Sequence, residues 1–597
     1  MVAQLSEIAG QTFDYVVVGG GTAGLTVAGR LAEDPNVSVA VLEAGGANLD
    51  DPNILRLGTY GSTFLNPQYD WGFFTTPQKY SNGRKWMWNR GKGLGGSSAL
   101  NFNGWLKPPA ADIDAFEELG NPGWNWDSYQ KFTCRTEKFT VPSEAQMSEF
   151  PHTFNKAFHG DNGPLQIAIP RPALKTNKLL FDTLDKKGVK LITDPYGGDI
   201  NGCFITSSTI DRSQKWTRSY SATAFYLPNK DKPNFKVLID ASGSRVLFKD
   251  EEGEDLVACG VEFIHGGQTH TVNVRKDVIL SAGTIKSPQI LELSGIGQSA
   301  VLEKIGVPVK LDLPGVGENV QDHVFAGTCH RPKCVLNPDL GPYDSFDHIL
   351  DPEFAKKQAW LQDIGERNNH ELGITAFSYL PMTIADPEAA KSFHARVAKF
   401  VADAKSSGKL PPGLAEQYDI QLKALKDDGV PDMEFVSWPG FAKVVSNSIP
   451  DPKADHVTIM CFLQHPFSRG TIHAKSSDPL EYPDIDPHYY EVPFDLEIMV
   501  EQIKFIRRLA QTEPMKSGVV QEIDPGSDAT SDEAIRDHLR NTSSTVFHAI
   551  GSLSMLPREK NGVVDPQLKA SLSYRILYPH THSDMPLPVA DILKGGA

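Results

Sequence analysis

Gly19, Gly21 and Gly24 stand at the spacing G-x-G-x-x-G directly after an apolar run, and Glu43 follows about 20 residues later. This pattern suits an ADP-containing dinucleotide. Gly19 permits a tight turn, Gly21 lets the backbone approach a pyrophosphate, and Gly24 lets a helix pack closely on a strand. The helix then opens at Thr22 and Ala23, with its N-terminal N–H groups aimed at the phosphates. A carboxylate at Glu43 is placed to accept hydrogen bonds from a ribose 2′-OH. The motif by itself leaves FAD and NAD both open and disfavours NADP, whose 2′-phosphate a carboxylate would repel. A second glycine-rich loop, Asn89 to Asn101, offers more backbone donors to an anionic or strongly polar ligand.

These residues need elements to hold them. Tyr15 to Val18 are β-branched or aromatic and suit a buried parallel strand, whereas Ala23, Leu25, Val27, Ala28 and Leu31 recur at helical spacing. Val37 to Glu43 reads as a second strand. Lys276 to Gly283 reads as another, ending in small residues and followed by Thr284 to Gly297. A chain of 597 residues implies two to four domains. Hydrophobic content of 40% and charged content of 22% are ordinary for a globular enzyme, and a net charge of −16 argues against nucleic acid or an anionic membrane as main partners. No apolar run reaches the roughly 18 residues of a membrane span, and the first residues lack a basic patch followed by an apolar core. An intracellular, cytoplasmic location is therefore expected. The six cysteines are scattered without zinc-ligand spacing, so no metal site is expected. Asp351 to Gln362 and Glu388 to Lys405 read as charged helices, forming either a solvated layer or a lid.

Arg90 to Asn101 and Gly283 to Gly297, in this order after the first glycine motif, resemble the two signature stretches of the glucose-methanol-choline (GMC) family of flavin oxidoreductases. Pro314 to His323, Ser468 to Gly470 and His548 to Ser552 agree with it, and the resemblance runs from residue 13 to about 569. It implies an α/β fold in which a discontinuous, Rossmann-like FAD-binding domain carries an α+β substrate domain built on an antiparallel sheet. The expected division is 13–330 for the FAD domain with insertions, 331–540 for the substrate domain, and 541–597 for a return to the FAD domain with the catalytic motif. On this template FAD lies against Gly19, Gly21, Thr22, Ala23 and Gly24. Glu43 meets the adenosine ribose, Arg90, Gly95, Ser97 and Asn101 run beside the flavin, and Val246 sits near the adenine.

Oxidation of an alcohol requires a base for the hydroxyl proton while hydride leaves carbon, and histidine has the fitting pKa. His548 occupies the family's first catalytic position. The second, usually His or Asn, falls within the run 582–585, where His582 and Ser583 are the candidates. Here the chain departs from the family, and its final strand, loop and helix look shortened. The resemblance thus implies a small-molecule alcohol as substrate, in the manner of aryl-alcohol oxidases and dehydrogenases, with O₂ or a quinone as electron acceptor, and the lack of a signal-peptide pattern favours an intracellular, biosynthetic role. Phe102, Trp105, Trp438, Phe441 and Phe467 are candidates for the pocket wall. The alternatives are a flavin-dependent lyase or cyclase without net redox chemistry, and a degenerate flavoprotein whose altered end has cost it catalysis.

Overall fold

The computed structural model describes residues 2–577 apart from 60, 150–153, 172–173, 250–255, 333–344, 373, 450, 452–453, 571–572 and 575. His582 and Ser583 therefore lie outside the described residues. In chain order the elements used below are β1 (Thr12–Val18), α1 (Thr22–Leu31), β2 (Val39–Leu42), β3 (Gly202–Ile205), β4 (Phe235–Leu238), β5 (Ala241–Phe248), β6 (Leu256–His265), β7 (Gln268–Leu280), α2 (Gly283–Leu293), β8 (Val324–Pro332), β9 (Ala376–Leu380), α3 (Pro387–Ser406), β10 (Met433–Trp438), β11 (Val457–Leu463), α4 (Pro493–Ala510), β12 (Val519–Asp524) and β13 (Ser544–Thr545).

The first sheet has the order β4-β2-β1-β7-β6-β5. Its first four strands are parallel, and β6 and β5 extend it antiparallel. Val16, Val17 and all of Val39–Leu42 are buried, as continuous apolar runs must be when helices cover both faces of a parallel sheet. β7 serves both halves: Gln268 to Asn273 pair with β6, and Asn273 to Leu280 with β1. Val18 stands in register with both Leu42 and Leu280, so three strands end at one level. The chain leaves β1 toward β2 on one side, while β7 borders β1 on the other. The crevice between them is a topological switch point, where open α/β sheets bind ligands.

The second sheet is antiparallel with the order β12-β8-β11-β10-β9-β3, and β13 pairs the start of β8. Residues alternate between its faces. Met433, Phe435, Ile459 and Cys461 point to a core completed by Met499, Ile503, Phe505 and Ile506 of α4, a helix started by Pro493 at its first turn. Each such fully buried side chain stabilises the fold by about 1.5–3 kcal/mol. Phe325, Phe377, Tyr379, Val436, Met460 and Phe462 point the other way. The helix expected at Glu388 to Lys405 is α3, but it is not merely solvated. Ala390, Phe393, Val397 and Val401 join the α4 side of this sheet, so α3 covers the face away from those aromatics and is no lid over them.

Neither sheet is contiguous in sequence. The antiparallel one takes β3 from within the region 13–330, and Ile576–Leu577 returns to pair in parallel with Val278 and Ile279 of β7. No helix among the described residues is long and apolar enough to cross a membrane.

Candidate active site

The first glycine turn follows β1. Gly19 has φ +106°, and a Cβ there would lie 2.4 Å from the Ser281 carbonyl oxygen; one on Gly24 would lie 1.9 Å from the Gly19 oxygen. Both positions exclude side chains. Helix α1 starts after Gly21 without a side-chain cap, so the N–H groups of Thr22, Ala23 and Gly24 stay available to an anion. The second loop lies directly on the first: Gly95 N–H donates to the Gly20 oxygen at 2.9 Å, and a Cβ on Gly96 would lie 2.7 Å from Gly21 Cα.

Glu43 joins the two loops. Its Oε2 accepts from Gly20 N–H at 2.7 Å, while its Oε1 accepts from Gly45 and Gly93 N–H, each at 2.9 Å. Burial pushes its carboxyl up from the ordinary value, and the three N–H bonds and Lys92 oppose that push. The sequence reading anticipated a ribose contact for Glu43 and missed this tether. Of a carboxylate's roughly four acceptor positions three are filled, so one remains on Oε2.

Along the second loop, Ser97 is exposed and its Oγ accepts from Gly91 N–H at 3.2 Å. Arg90 lies over the Trp88 ring at 5.4 Å, and burial lowers its pKa. Asn101 is fixed by Arg218, whose Nη1 donates to its Oδ1 at 2.6 Å; sequence reasoning gave no signal for Arg218. Val246 is buried in β5, and its N–H donates to Ser294 Oγ at 2.8 Å. An ADP-bearing cofactor fits this cradle on two counts: the uncapped start of α1, and the Ser281 hydroxyl at the end of β7, buried beside Gly19 and Gly24 with no hydrogen-bond partner.

His548 comes to the same place from the far end of the chain. Thr284 Oγ1, just beyond β7, donates to the Ala549 oxygen at 2.8 Å, and Ser552 Oγ donates to the Thr284 oxygen at 2.7 Å. On its other side, His548 N–H donates to Asp322 Oδ1 at 3.1 Å, and the His323 ring lies edge-on to the His548 ring with centroids 5.7 Å apart. The His548 side is exposed, so a substrate can reach it. Asp322 and His323 sit in the Pro314 to His323 block, which could have flagged them as neighbours of His548. Phe547 carries φ +66°, and its ring meets Phe64 at 5.3 Å. Phe64 meets Phe102, Phe102 meets Trp438, and Trp438 stacks on Phe346 at 4.7 Å. This file of half-buried rings runs from the His548 loop to the aromatic face of the antiparallel sheet, against which Val546 also packs.

Of the five aromatics singled out in the sequence, Phe102 and Trp438 belong to this file. Trp105 is buried and donates from Nε1 to Glu137 at 3.0 Å, and Phe467 packs in the core with Tyr418 and Phe400. Phe441 lies against His456. Among the described residues no group of three or more His, Cys, Asp or Glu side chains could hold a metal ion.

A two-loop dinucleotide cradle at a switch point, with the His548 loop bonded to Thr284 beside it, fits an oxidoreductase with a dinucleotide cofactor. The sequence models of the N- and C-terminal regions of GMC oxidoreductase match residues 13–325 and 466–571. A GMC oxidoreductase family protein of Malassezia sympodialis, Mala s 12, is 33% identical over 571 residues, covering 94% of this chain and 87% of its own. The solved structure of an FAD-dependent oxidoreductase from Chaetomium thermophilum has TM-score 0.85 and 26% identity, and that of a fungal aryl-alcohol oxidase has TM-score 0.83 and 26% identity. Each covers 98% of this chain and 99% of its own. The chain belongs to the GMC oxidoreductase family, and its cofactor is FAD.

Proposed function

We propose that this enzyme oxidises a primary or secondary alcohol to an aldehyde or ketone, with His548 as the base that takes the hydroxyl proton. The observation that carries the reading is the position of His548: exposed, next to Ala549, whose oxygen accepts from Thr284 Oγ1 in the first turn of α2, and one residue from the aromatic file. FAD, when bound, supplies the hydride acceptor. The chain's residues do the rest. Gly19 to Gly24, with Glu43 at the ribose, hold the dinucleotide end, and Arg90, Gly95, Ser97 and Asn101 line the flavin end. The division into an FAD domain over 13–330, a substrate domain over 331–540 and a returning segment from 541 belongs to the same reading.

The substrate class follows from the wall. Phe64, Phe102, Phe547 and Trp438 present rings and no charged group, which favours an aryl or allylic alcohol over a sugar. The structural likeness to an aryl-alcohol oxidase supports the same choice. The electron acceptor is O₂ or a quinone, distinguished by whether hydrogen peroxide accumulates.

The test is the visible spectrum of the holoenzyme before and after anaerobic addition of benzyl, cinnamyl and aliphatic alcohols. Bleaching of the flavin bands by the aryl and allylic members is expected. Conversion without bleaching would replace this reading with a lyase or cyclase. His548→Ala is expected to lower the bleaching rate by on the order of 10²–10⁴-fold with flavin still bound, and unchanged turnover in that variant would remove His548 as the base.

A further inference from the structure

Beneath His548 runs a buried chain of hydrogen bonds that the proton transfer itself does not use. Trp88 Nε1–H donates to the Tyr489 hydroxyl at 2.8 Å, and that hydroxyl donates to Asp322 Oδ2. The same oxygen accepts from the Thr545 hydroxyl, while Oδ1 takes the His548 N–H at 3.1 Å. Trp88, Tyr489, Asp322 and Thr545 are 0%, 4%, 5% and 0% exposed, so water cannot replace a lost partner.

The loop these bonds hold is strained. Phe547, between Thr545 and His548, sits in the left-handed region at φ +66°, a conformation that costs a non-glycine residue about 1–3 kcal/mol and persists only where the surroundings fix it. They do so here. Phe547 N–H donates to Thr545 Oγ1 at 2.8 Å, and Val546 N–H to the His323 oxygen at 3.1 Å. Gln321 and Ile550 exchange both backbone bonds, at 2.9 and 2.8 Å. The Asp322 carboxylate thus gathers two donors from the loop, Thr545 Oγ1–H and His548 N–H, and anchors them through Tyr489 and Trp88 to the strand beside the second glycine loop.

We propose that Asp322 is a positioning residue for His548, acting through Thr545 and the His548 N–H to set the direction in which the imidazole enters the groove. The proposal rests on the reading of His548 as the base. It also has a pH signature. Burial pushes the Asp322 carboxyl up to about 6, against the bonds from Thr545 and Tyr489, the Arg90 charge and the His548 N–H. The other titratable groups facing it are Tyr489 itself, His323 and His548 on the loop side, and Asp495 across the small cavity that both line. As pH falls through about 6 the carboxyl takes up a proton, becomes a donor, and can no longer accept all three bonds, so the loop loses its anchor and kcat falls.

The experiment compares purified holoenzymes: wild type, Asp322→Asn, Thr545→Val, Thr545→Ser and His548→Ala. The probe is whichever alcohol of the panel above bleaches the flavin fastest. Asparagine offers one acceptor oxygen and an NH₂, so it cannot serve Tyr489, Thr545 and His548 N–H together. Asp322→Asn should lower kcat on the order of 10²-fold, the cost of a base displaced by about 1 Å, with KM and flavin content unchanged and an acidic limb reduced to the single protonation that a histidine base itself imposes. Thr545→Ser should keep the wild-type rate and Thr545→Val should not, which decides the matter even where Asp322→Asn fails to fold. Wild-type kcat and pH profile in Asp322→Asn, or a kcat loss that only tracks lost flavin, overturns the positioning role. If His548→Ala keeps wild-type turnover, or no alcohol bleaches the flavin, the underlying reading fails and this one falls with it. A dead His548→Ala beside a normal Asp322→Asn sinks the positioning role alone.

Discussion

The parallel and antiparallel sheets meet at the His548 loop and bring different materials to it. On the parallel side the surface is backbone: Gly19, Gly24, Gly95 and Gly96 bring main chain within contact of main chain, and the open donors are the N–H groups that start α1. On the antiparallel side the facing layer is side chain: buried Phe325, Phe462 and Met460 with half-buried Trp438, and buried Glu434 opposite Tyr379 on the same face. A backbone surface recognises what every turnover shares, the cofactor, and admits almost no substitution. A side-chain surface changes one position at a time without disturbing its sheet, which suits the part of the reaction that differs between substrates.

The contrast can be broken most forcefully on the backbone side. Gly24→Ala puts a methyl group 1.9 Å from the Gly19 oxygen, so a loss of about 4 kcal/mol or more and a colourless protein are expected from urea unfolding and the visible spectrum. A yellow, stable alanine variant would show that the turn is not held by backbone contact. Glu43→Gln should cost about 1–3 kcal/mol and weaken flavin retention on dialysis, because the amide replaces one acceptor oxygen with an NH₂ facing an N–H.

On the side-chain side the changes leave flavin content alone. Burial pushes the Glu434 carboxyl up to about 7, opposed by bonds from Gln464 and Tyr379. The folded chain then holds this proton more tightly than the unfolded one, so the residue's contribution to stability falls as pH rises from about 4.5 to 7. Glu434→Gln should therefore gain stability relative to wild type across that window, by up to about 3 kcal/mol. A difference in urea midpoint that does not change with pH would refute it. Last, Trp438→Ala should raise KM for an aryl alcohol about tenfold, roughly 1.4 kcal/mol of binding, while KM for a short aliphatic alcohol stays put.

What the sequence made legible follows the same division. Gly19, Gly21 and Gly24 could be read because the constraint on them is local: one turn, one helix start and one strand, all within a few residues. Glu43 was legible as an acid in the right place, though not as the tether between two loops, since Gly93 is remote from it in sequence. The Asp322–Tyr489–Trp88 chain was not legible, because no periodicity links those three segments. β3 pairing with β9 was hidden for the same reason. Aromatic residue type could not sort Phe102 and Trp438, which join the half-buried file of rings, from Trp105 and Phe467, which fill cores, because that depends on which side of a strand or loop each falls. Phe64, Phe346 and Phe547 passed unnoticed on the same account.

The loop bearing His548 is stitched to both bodies of the enzyme. β13 adds it to the antiparallel sheet, and Thr284 bonds it to the first turn of α2, at the edge of the parallel one. A clamshell opening that parted the two sheets would have to tear one of those seams and carry His548 away from Asp322 or from Thr284. The two sheets are thereby basted together at the very residue that meets solvent between them, and the enzyme is built as a single casting rather than as a pair of jaws.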